Sequence, residues 1–336
     1  MGKVIFAMFS VALGLGCSSG NSGPSADQAC TTFAQAQCAR LQSCSSAVVP
    51  DGVSILRNYD SHDQGAYSCL ARVKDDCTNR LKAPGNGNNP TLTEQCAAAY
   101  ATLSCQDFFD NVPAAECAPV GPRGNGQPCA VAGQCASAYC GGNKTAVCGT
   151  CADPPAAGSS CAASACAHGQ DCNASSQVCM DTVGTGVACD GAAASQVNCA
   201  AGLTCSGTAG SKTCVAGGTT EGVVCGGTGP LCLRFQGLAC EGPVGSKTCT
   251  AVQLVGDGQP CGTLDENTRA DCLAGECYTA TGVAQVTELG TCKKQAADGA
   301  LCDTVLGPTC YAGARCVTAA GSSAGICTIP NVTSCN

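Results

Sequence analysis

The sequence predicts a small disulfide-rich fold. An amino-terminal three-helix, disulfide-stapled domain is followed by a linear array of six short β-hairpin-like tetracysteine modules. Three observations predict it. The 336 residues hold 35 cysteines. Twenty-four of these fall into six successive groups of four, each opened by Gly-x-x-Cys. The segment ahead of them carries helical periodicity instead.

Residues 1–16 read as a secretory signal. Lys3 supplies a positive charge, and Val4 to Gly16 form an apolar run interrupted only by Ser10. The run is too short for a bilayer span, which needs about 20 residues. Cys17 follows, then a Ser/Gly-rich tether to Ser25, so residues 17–25 form a linker. Gly16-Cys17-Ser18 resembles the lipobox of bacterial lipoproteins, although Gly14 stands where Leu is usual. The resemblance implies that Cys17 is the lipidated amino terminus and a membrane partner through that lipid. Ser18 after the cysteine implies delivery to an outer membrane or the cell surface. The alternative is ordinary cleavage and release as a secreted protein. Lipidating Cys17 leaves an even set of cysteines, enough for 17 disulfides with no orphan.

Such thiol density persists oxidised only outside a reducing cytosol. Losing Lys3 with the leader takes the formal charge from −8 to −9, and an acidic chain with few Lys/Arg has no electrostatic footprint for nucleic acid. Tryptophan is absent and aromatics are 4%, which leaves few stacking platforms for bases or sugars. Units of roughly 30 residues cannot bury enough surface to be stable without staples, and the cysteines supply them.

The helical Cys-rich domain spans 26–118. Ser25-Ala26-Asp27-Gln28 reads as a capping box, and Cys30, Phe33, Ala34, Cys38 and Leu41 mark one helical face. A second helix fits 66–82, with Leu70, Val73, Cys77 and Leu81 on one side. The run 83–90 contains two prolines and two glycines and breaks it. Thr91 to Glu94 then cap a third helix with Leu92, Cys96, Tyr100 and Leu103 inward. Cys30 to Cys38 and Cys69 to Cys77 are both eight residues apart, about 12 Å of helix rise, so neither pair closes on itself. Two antiparallel helices would join Cys30–Cys77 and Cys38–Cys69. Cys44, Cys96, Cys105 and Cys117 would pin the third helix and the exit.

The repeats occupy 119–336, about 126–157, 158–185, 186–221, 222–257, 258–298 and 299–336. Self-similarity at this period marks an array of small units touching mainly their neighbours. Four cysteines admit three pairings, and spacing does not choose among them. First-to-third with second-to-fourth is the working expectation. It gives Cys129–Cys140 with Cys135–Cys148, Cys161–Cys172 with Cys166–Cys179, and Cys189–Cys205 with Cys199–Cys214. It also gives Cys225–Cys240 with Cys232–Cys249, Cys261–Cys277 with Cys272–Cys292, and Cys302–Cys316 with Cys310–Cys327. Cys151 and Cys335 fall outside the register. They either pair with each other or redraw a neighbouring quartet.

This Cys/Gly frame resembles the cysteine-rich amino-terminal module of Dickkopf proteins. It resembles more closely the cysteine-rich repeat lipoproteins of myxobacteria, in which such modules follow a helical Cys-rich domain. The resemblance implies an extracellular binding module and carries over no recognition residue.

Candidate chemistry is sparse. Cys148-Gly-Thr-Cys151 has redox or half-zinc spacing, yet within an oxidised framework it reads as two structural half-cystines. His62 in Tyr59-Asp60-Ser61-His62-Asp63 has no triad context and reads as a solvated loop; His168 reads as exposed. Ser323 and Ser18 fit Gly-x-Ser-x-Gly, without the strand-to-helix context of a nucleophile elbow. Asp265, Glu266 and Asp271 lack calcium-loop spacing and read as a solubilising loop. Asn143, Asn173 and Asn331 head glycosylation-type triplets that carry no meaning in a bacterium.

The expectation is therefore a non-enzymatic binding or display protein, without cofactor, for an unknown extracellular protein or glycan. Its contact residues are expected in the long fifth-repeat loops, 262–271 and 278–291. The alternative is a disulfide-rich protease inhibitor; an enzyme is the least favoured reading.

Overall fold

A computed structural model describes residues 23–45, 65–110, 112–142, 146–162, 164–173, 176–190, 197–233, 236–283 and 288–335. The leader, Cys17, Ser18, His62 and Asn143 lie outside the described residues.

Four helices build the amino-terminal region: α1 (Ala26–Ser45), α2 (Cys69–Leu81), α3 (Pro90–Tyr100) and the short α4 (Cys105–Phe109). The capping box closes α1 as its sequence requires. The Gln28 amide donates to Ser25 Oγ at 3.2 Å, and the Ser25 amide donates to Gln28 Oε1 at 3.0 Å. The third helix starts earlier than expected. Asn89 Oδ1 accepts from the Leu92 amide at 3.0 Å, and Pro90 is the first helical residue, where its missing N–H costs nothing. Phe33 meets Tyr100 edge-on at 5.5 Å, and Phe108 meets Tyr100 at 5.9 Å.

Disulfides Cys30–Cys77 and Cys38–Cys69 form a two-rung ladder between α1 and α2. Cys44–Cys105 ties α1 to α4, and Cys96–Cys117 ties α3 to a 3-10 turn at Ala115–Cys117. The inner face of α2 differs from the expectation. Leu70 is half exposed, while Arg72 is buried beside Val73 and Cys77. The cause is a partner the helical periodicity cannot reveal, because Arg72 faces the carboxy-terminal segment.

The rest of the chain is cysteine-rich and built of repeated short sheets. Each opening glycine (Gly126, Gly158, Gly186, Gly222, Gly258, Gly299) has φ between 75° and 87°, a region closed to most side chains. Each donates its N–H to the carbonyl of a closing cysteine at 2.7–2.9 Å, namely Cys151, Cys179, Cys214, Cys249, Cys292 and Cys327. That closing cysteine lies opposite another across an antiparallel pair: Cys140 faces Cys151, Cys172 faces Cys179, Cys205 faces Cys214, Cys240 faces Cys249, Cys277 faces Cys292 and Cys316 faces Cys327.

Five of the six quartets carry the pairings written above. In the first, Cys129–Cys140 forms, but Cys135–Cys148 does not. Cys135 bonds Cys151, and Cys148 bonds Cys335. The backbone gives the reason: Cys151 occupies the closing position, opposite Cys140 and accepting from Gly126, and Cys148 is an insertion.

Neighbouring units share backbone hydrogen bonds. Cys179–Val183 pairs in parallel with Val197–Cys199, and Gln253–Val255 with Thr268–Cys272. Units distant in the chain also meet, a contact that an array of units touching mainly their neighbours does not include. Cys148–Cys335 joins residues 187 positions apart. Arg72 binds Asp298 through two bonds of 2.6 and 3.1 Å and donates Nε to the Ala312 carbonyl at 2.6 Å. Tyr67 stacks on Tyr311 at 4.3 Å. Arg315 donates to the carbonyls of Ala130, Ala146 and Val147. A small core of Ala83, Ala130, Val131, Val332 and Cys335 seals helical domain, first repeat and carboxy terminus together.

Candidate functional site

A cleft of about 340 Å³ lies between the helices and the first two repeats. Helix α1 contributes Phe33 and Gln37, α2 contributes Asp76 and Arg80, α3 contributes Tyr100, and the second repeat contributes His168 at the rim. The walls are pinned covalently, since Cys77, Cys96 and Cys117 line them as members of two disulfides. Phe33 and Tyr100 give the lining an aromatic part, Gln37, Asn86 and Asn88 give it amides, and Asp76 with Arg80 an ion pair. Asp76 and Arg80 pair one helical turn apart, with Nε to Oδ2 at 2.7 Å. Burial raises the Tyr100 phenol above its usual range, against a smaller opposing pull from the Arg80 charge. The hydroxyl is therefore neutral and acts as a hydrogen-bonding group.

Asp76, Arg80 and Val131 also wall a second cavity of about 190 Å³ toward Arg315 and Val332. Desolvation, and then the like charge of Arg80, lower the Arg315 pKa, while Asp76 opposes them. The first cleft, at about 340 Å³, falls within the range of small-molecule sites, about 300–1,000 Å³ with a few placed polar groups; the second is smaller.

The fifth-repeat residues fall elsewhere. The span 262–271 is no loop: Pro260–Asp265 and Thr268–Cys272 form a hairpin inside a six-stranded sheet. Arg269, Ala270 and Asp271 are buried, because the parallel strand Gln253–Val255 covers them on the side the sequence leaves open. In the span 278–291, Tyr278 is also buried, donating to Glu276 at 3.1 Å with Lys293 5.4 Å above its ring; residues 284–287 lie outside the described set. Asp265, Glu266 and Asp271 do not act as a group. Asp265 accepts the Asn267 amide at the exposed hairpin tip, while Asp271 lies buried 3.4 Å from Arg269.

Ser323 sits in a turn between two strands and donates to Asp303 at 3.0 Å. His168 is exposed, as its short loop implies. Asn173 and Asn331 spend their side-chain oxygens on local turns. Sulfurs such as those of Cys129, Cys135 and Cys151 lie within 4.8 Å of one another. They are paired as cystines, and metal binding needs thiolates.

Sequence reading did not anticipate the cleft, because its walls come from segments far apart in the chain. The misassigned cysteine did leave a signal. Cys179 to Gly186, Cys214 to Gly222, Cys249 to Gly258 and Cys292 to Gly299 are seven to nine residues apart. Cys151 to Gly158 is seven, and Cys148 to Gly158 is ten.

No family model, curated protein or solved structure matches the chain. Among the described residues, no helix is long and apolar enough to cross a membrane.

Proposed function

We propose that the chain is an exported, non-enzymatic binding protein of the cell envelope. It is anchored by lipid on Cys17 and built of six tetracysteine modules closed into a ring upon the helical domain. The extensive disulfide bonding supports an oxidising, extracellular setting; the leader ahead of Cys17 supports the anchor. The observation that carries the binding role is the cleft whose walls are held by cystines. A site fixed in this way orders few groups on binding and so spends little affinity on reorganisation. Its mixed aromatic and amide lining suits a small organic ligand with a polar head.

The test compares small molecules retained from cell extract by the oxidised protein and by Gln37→Trp, read by native mass spectrometry. Gln37 lines the cleft and is not among the buried core residues, so tryptophan there fills the site without disturbing a core. Retention by the parent and loss in the variant supports the reading; equal retention, or none by either, refutes it.

One observation favours a second reading. Val244 is 96% exposed at the tip of the hairpin closed between Cys240 and Cys249. A protruding apolar residue on a rigid hairpin is the geometry of protease-inhibitor bait. Inhibition of any member of a protease panel, abolished in Val244→Asp, would establish it.

A further inference from the structure

We infer that the Cys148–Cys335 disulfide is a thiol-exchange site, a covalent clasp that an external thiolate opens while every repeat stays folded. Three independent features single it out. First, Cys148 is the only exposed half-cystine among the described residues, and its partner Cys335 is 1% exposed. Second, it lies outside the quartet frame. Cys129–Cys140 and Cys135–Cys151 complete the first repeat without it, so cleavage unpairs no sheet. Third, it spans 187 residues, whereas the next longest disulfide spans 61. It is the one covalent bond between the first repeat and the carboxy-terminal segment.

Its surroundings favour exchange. Arg123 donates to the Cys335 carbonyl at 2.6 Å, and Arg315 donates to the carbonyl of Val147, beside Cys148, at 2.8 Å. Both residues bring positive charge to the backbone flanking the bond; positive charge near a sulfur favours its thiolate, and a thiol of lower pKa leaves faster. The step balances simply. An external thiolate attacks Cys148 Sγ, the Cys148–Cys335 bond breaks, and a mixed disulfide forms on Cys148. Cys335 departs as thiolate and takes a proton from water. A second external thiol then attacks the sulfur it has added, releasing a low-molecular-weight disulfide and the Cys148 thiol. Cys151 does not resolve the intermediate, because it is buried and bonded to Cys135. Closure therefore requires Cys335 to return.

The inference does not rest on ligand binding at the cleft. Its test uses the native oxidised protein in graded mixtures of reduced and oxidised glutathione, quenched by an alkylating reagent and peptide-mapped. Label should enter Cys148 and Cys335 on the order of tenfold or more faster than any other cystine, with the glutathione adduct on Cys148. Hydrogen exchange should then show lost protection over 330–335 and unchanged protection in the six sheets. A protein carrying Cys148→Ser and Cys335→Ser should fold, take no early label, and show that same exchange pattern without glutathione. Earlier opening of another pair, an adduct on Cys335, or unchanged protection after complete exchange would each overturn the inference.

Discussion

The closing contact between α2 and the carboxy-terminal segment makes an asymmetric prediction. Arg72 is 4% exposed and Asp298 is 31% exposed, so the two halves of the pair do not cost the same to remove. In Arg72→Met the thioether fills most of the vacated volume, and Asp298 rehydrates from the exposed side. The Ala312 carbonyl loses its donor, for a total of about 2 kcal/mol. In Asp298→Ala the guanidinium stays buried with its charge uncompensated. The neighbouring Ala312 carbonyl and the Tyr67 ring, 5.6 Å away, relieve only part of that. Breaking a buried pair in this direction costs about 3–5 kcal/mol, and we place it at about 3. The double variant should cost little more than Arg72→Met alone, because its buried cation is gone. Non-reducing calorimetry should show falls of about 4 °C for Arg72→Met and about 6 °C for Asp298→Ala. Hydrogen exchange should locate both losses around 311–315. Equal losses for the two single variants, or additive losses in the double, would show that desolvation of Arg72 does not govern the contact.

Three further outcomes follow from the same geometry. Gly299 has φ +80° with nothing within 4 Å of a built Cβ, whereas a Cβ on Gly262 would stand 1.9 Å from the Glu288 carbonyl oxygen. Gly299→Ala should therefore cost about 1 kcal/mol of backbone strain, and Gly262→Ala well over twice that, as read by thermal melts of the oxidised proteins. Asp303 is held below the ordinary carboxylate range, first by the Leu306 and Val305 amides and then by Ser323. A depressed folded pKa stabilises above the unfolded value, and that stability disappears as pH falls through the folded one. Amide exchange at residues 305 and 306 should accelerate over that acidic interval, and Asp303→Asn should abolish the pH dependence. Asp110 has the opposite sign, since burial raises its pKa against the Ala201 amide that donates to it at 2.8 Å. Its favourable contribution is present below the unfolded value and is lost as pH rises through the folded one. Asp110→Asn keeps the acceptor and removes the charge, so it should raise stability at neutral pH and lose that advantage on acidification; an unchanged pH profile would exclude desolvation as the cause.

Local features of the chain were legible because they rest on short-range geometry. Two cysteines eight residues apart on a helix face cannot meet, which leaves the Cys30–Cys77 and Cys38–Cys69 ladder as the antiparallel solution. Ser25 and Gln28 state a helix start in four residues. What escaped the reading depends on contacts between distant segments. The stripe of Leu70, Val73, Cys77 and Leu81 leaves Arg72 out, because periodicity records one amphipathic stripe and not a second surface that meets Asp298. Residues 262–271 were read as a loop because their large polar residues mask a strand pair; the covering strand Gln253–Val255 lies in the preceding repeat. The cleft was illegible for the same reason: Phe33, Cys77, Cys96, Tyr100 and Cys117 were legible only as helix faces and staples, and of the lining residues His168 alone was weighed for chemistry.

The distribution of crosslinks separates two physical tasks. Within the quartets each disulfide closes 11 to 20 residues, worth about 3 kcal/mol apiece in the chain-entropy model. These bonds act within units too small to hold a core, so their effect is local and repeated. Cys148–Cys335 spans 187 residues and would reach about 5 kcal/mol in the same model. That figure is a ceiling, because the quartets have already shortened the free path between its ends. Part of the closure between the carboxy-terminal segment and the rest of the chain must therefore come from Arg72, Arg315, Tyr67 and the small Val131–Val332 core. A scaffold in which folding of the units and that closure rest on different bonds can lose the second and keep the first. The exposed half-cystine is found on the one bond for which that separation holds.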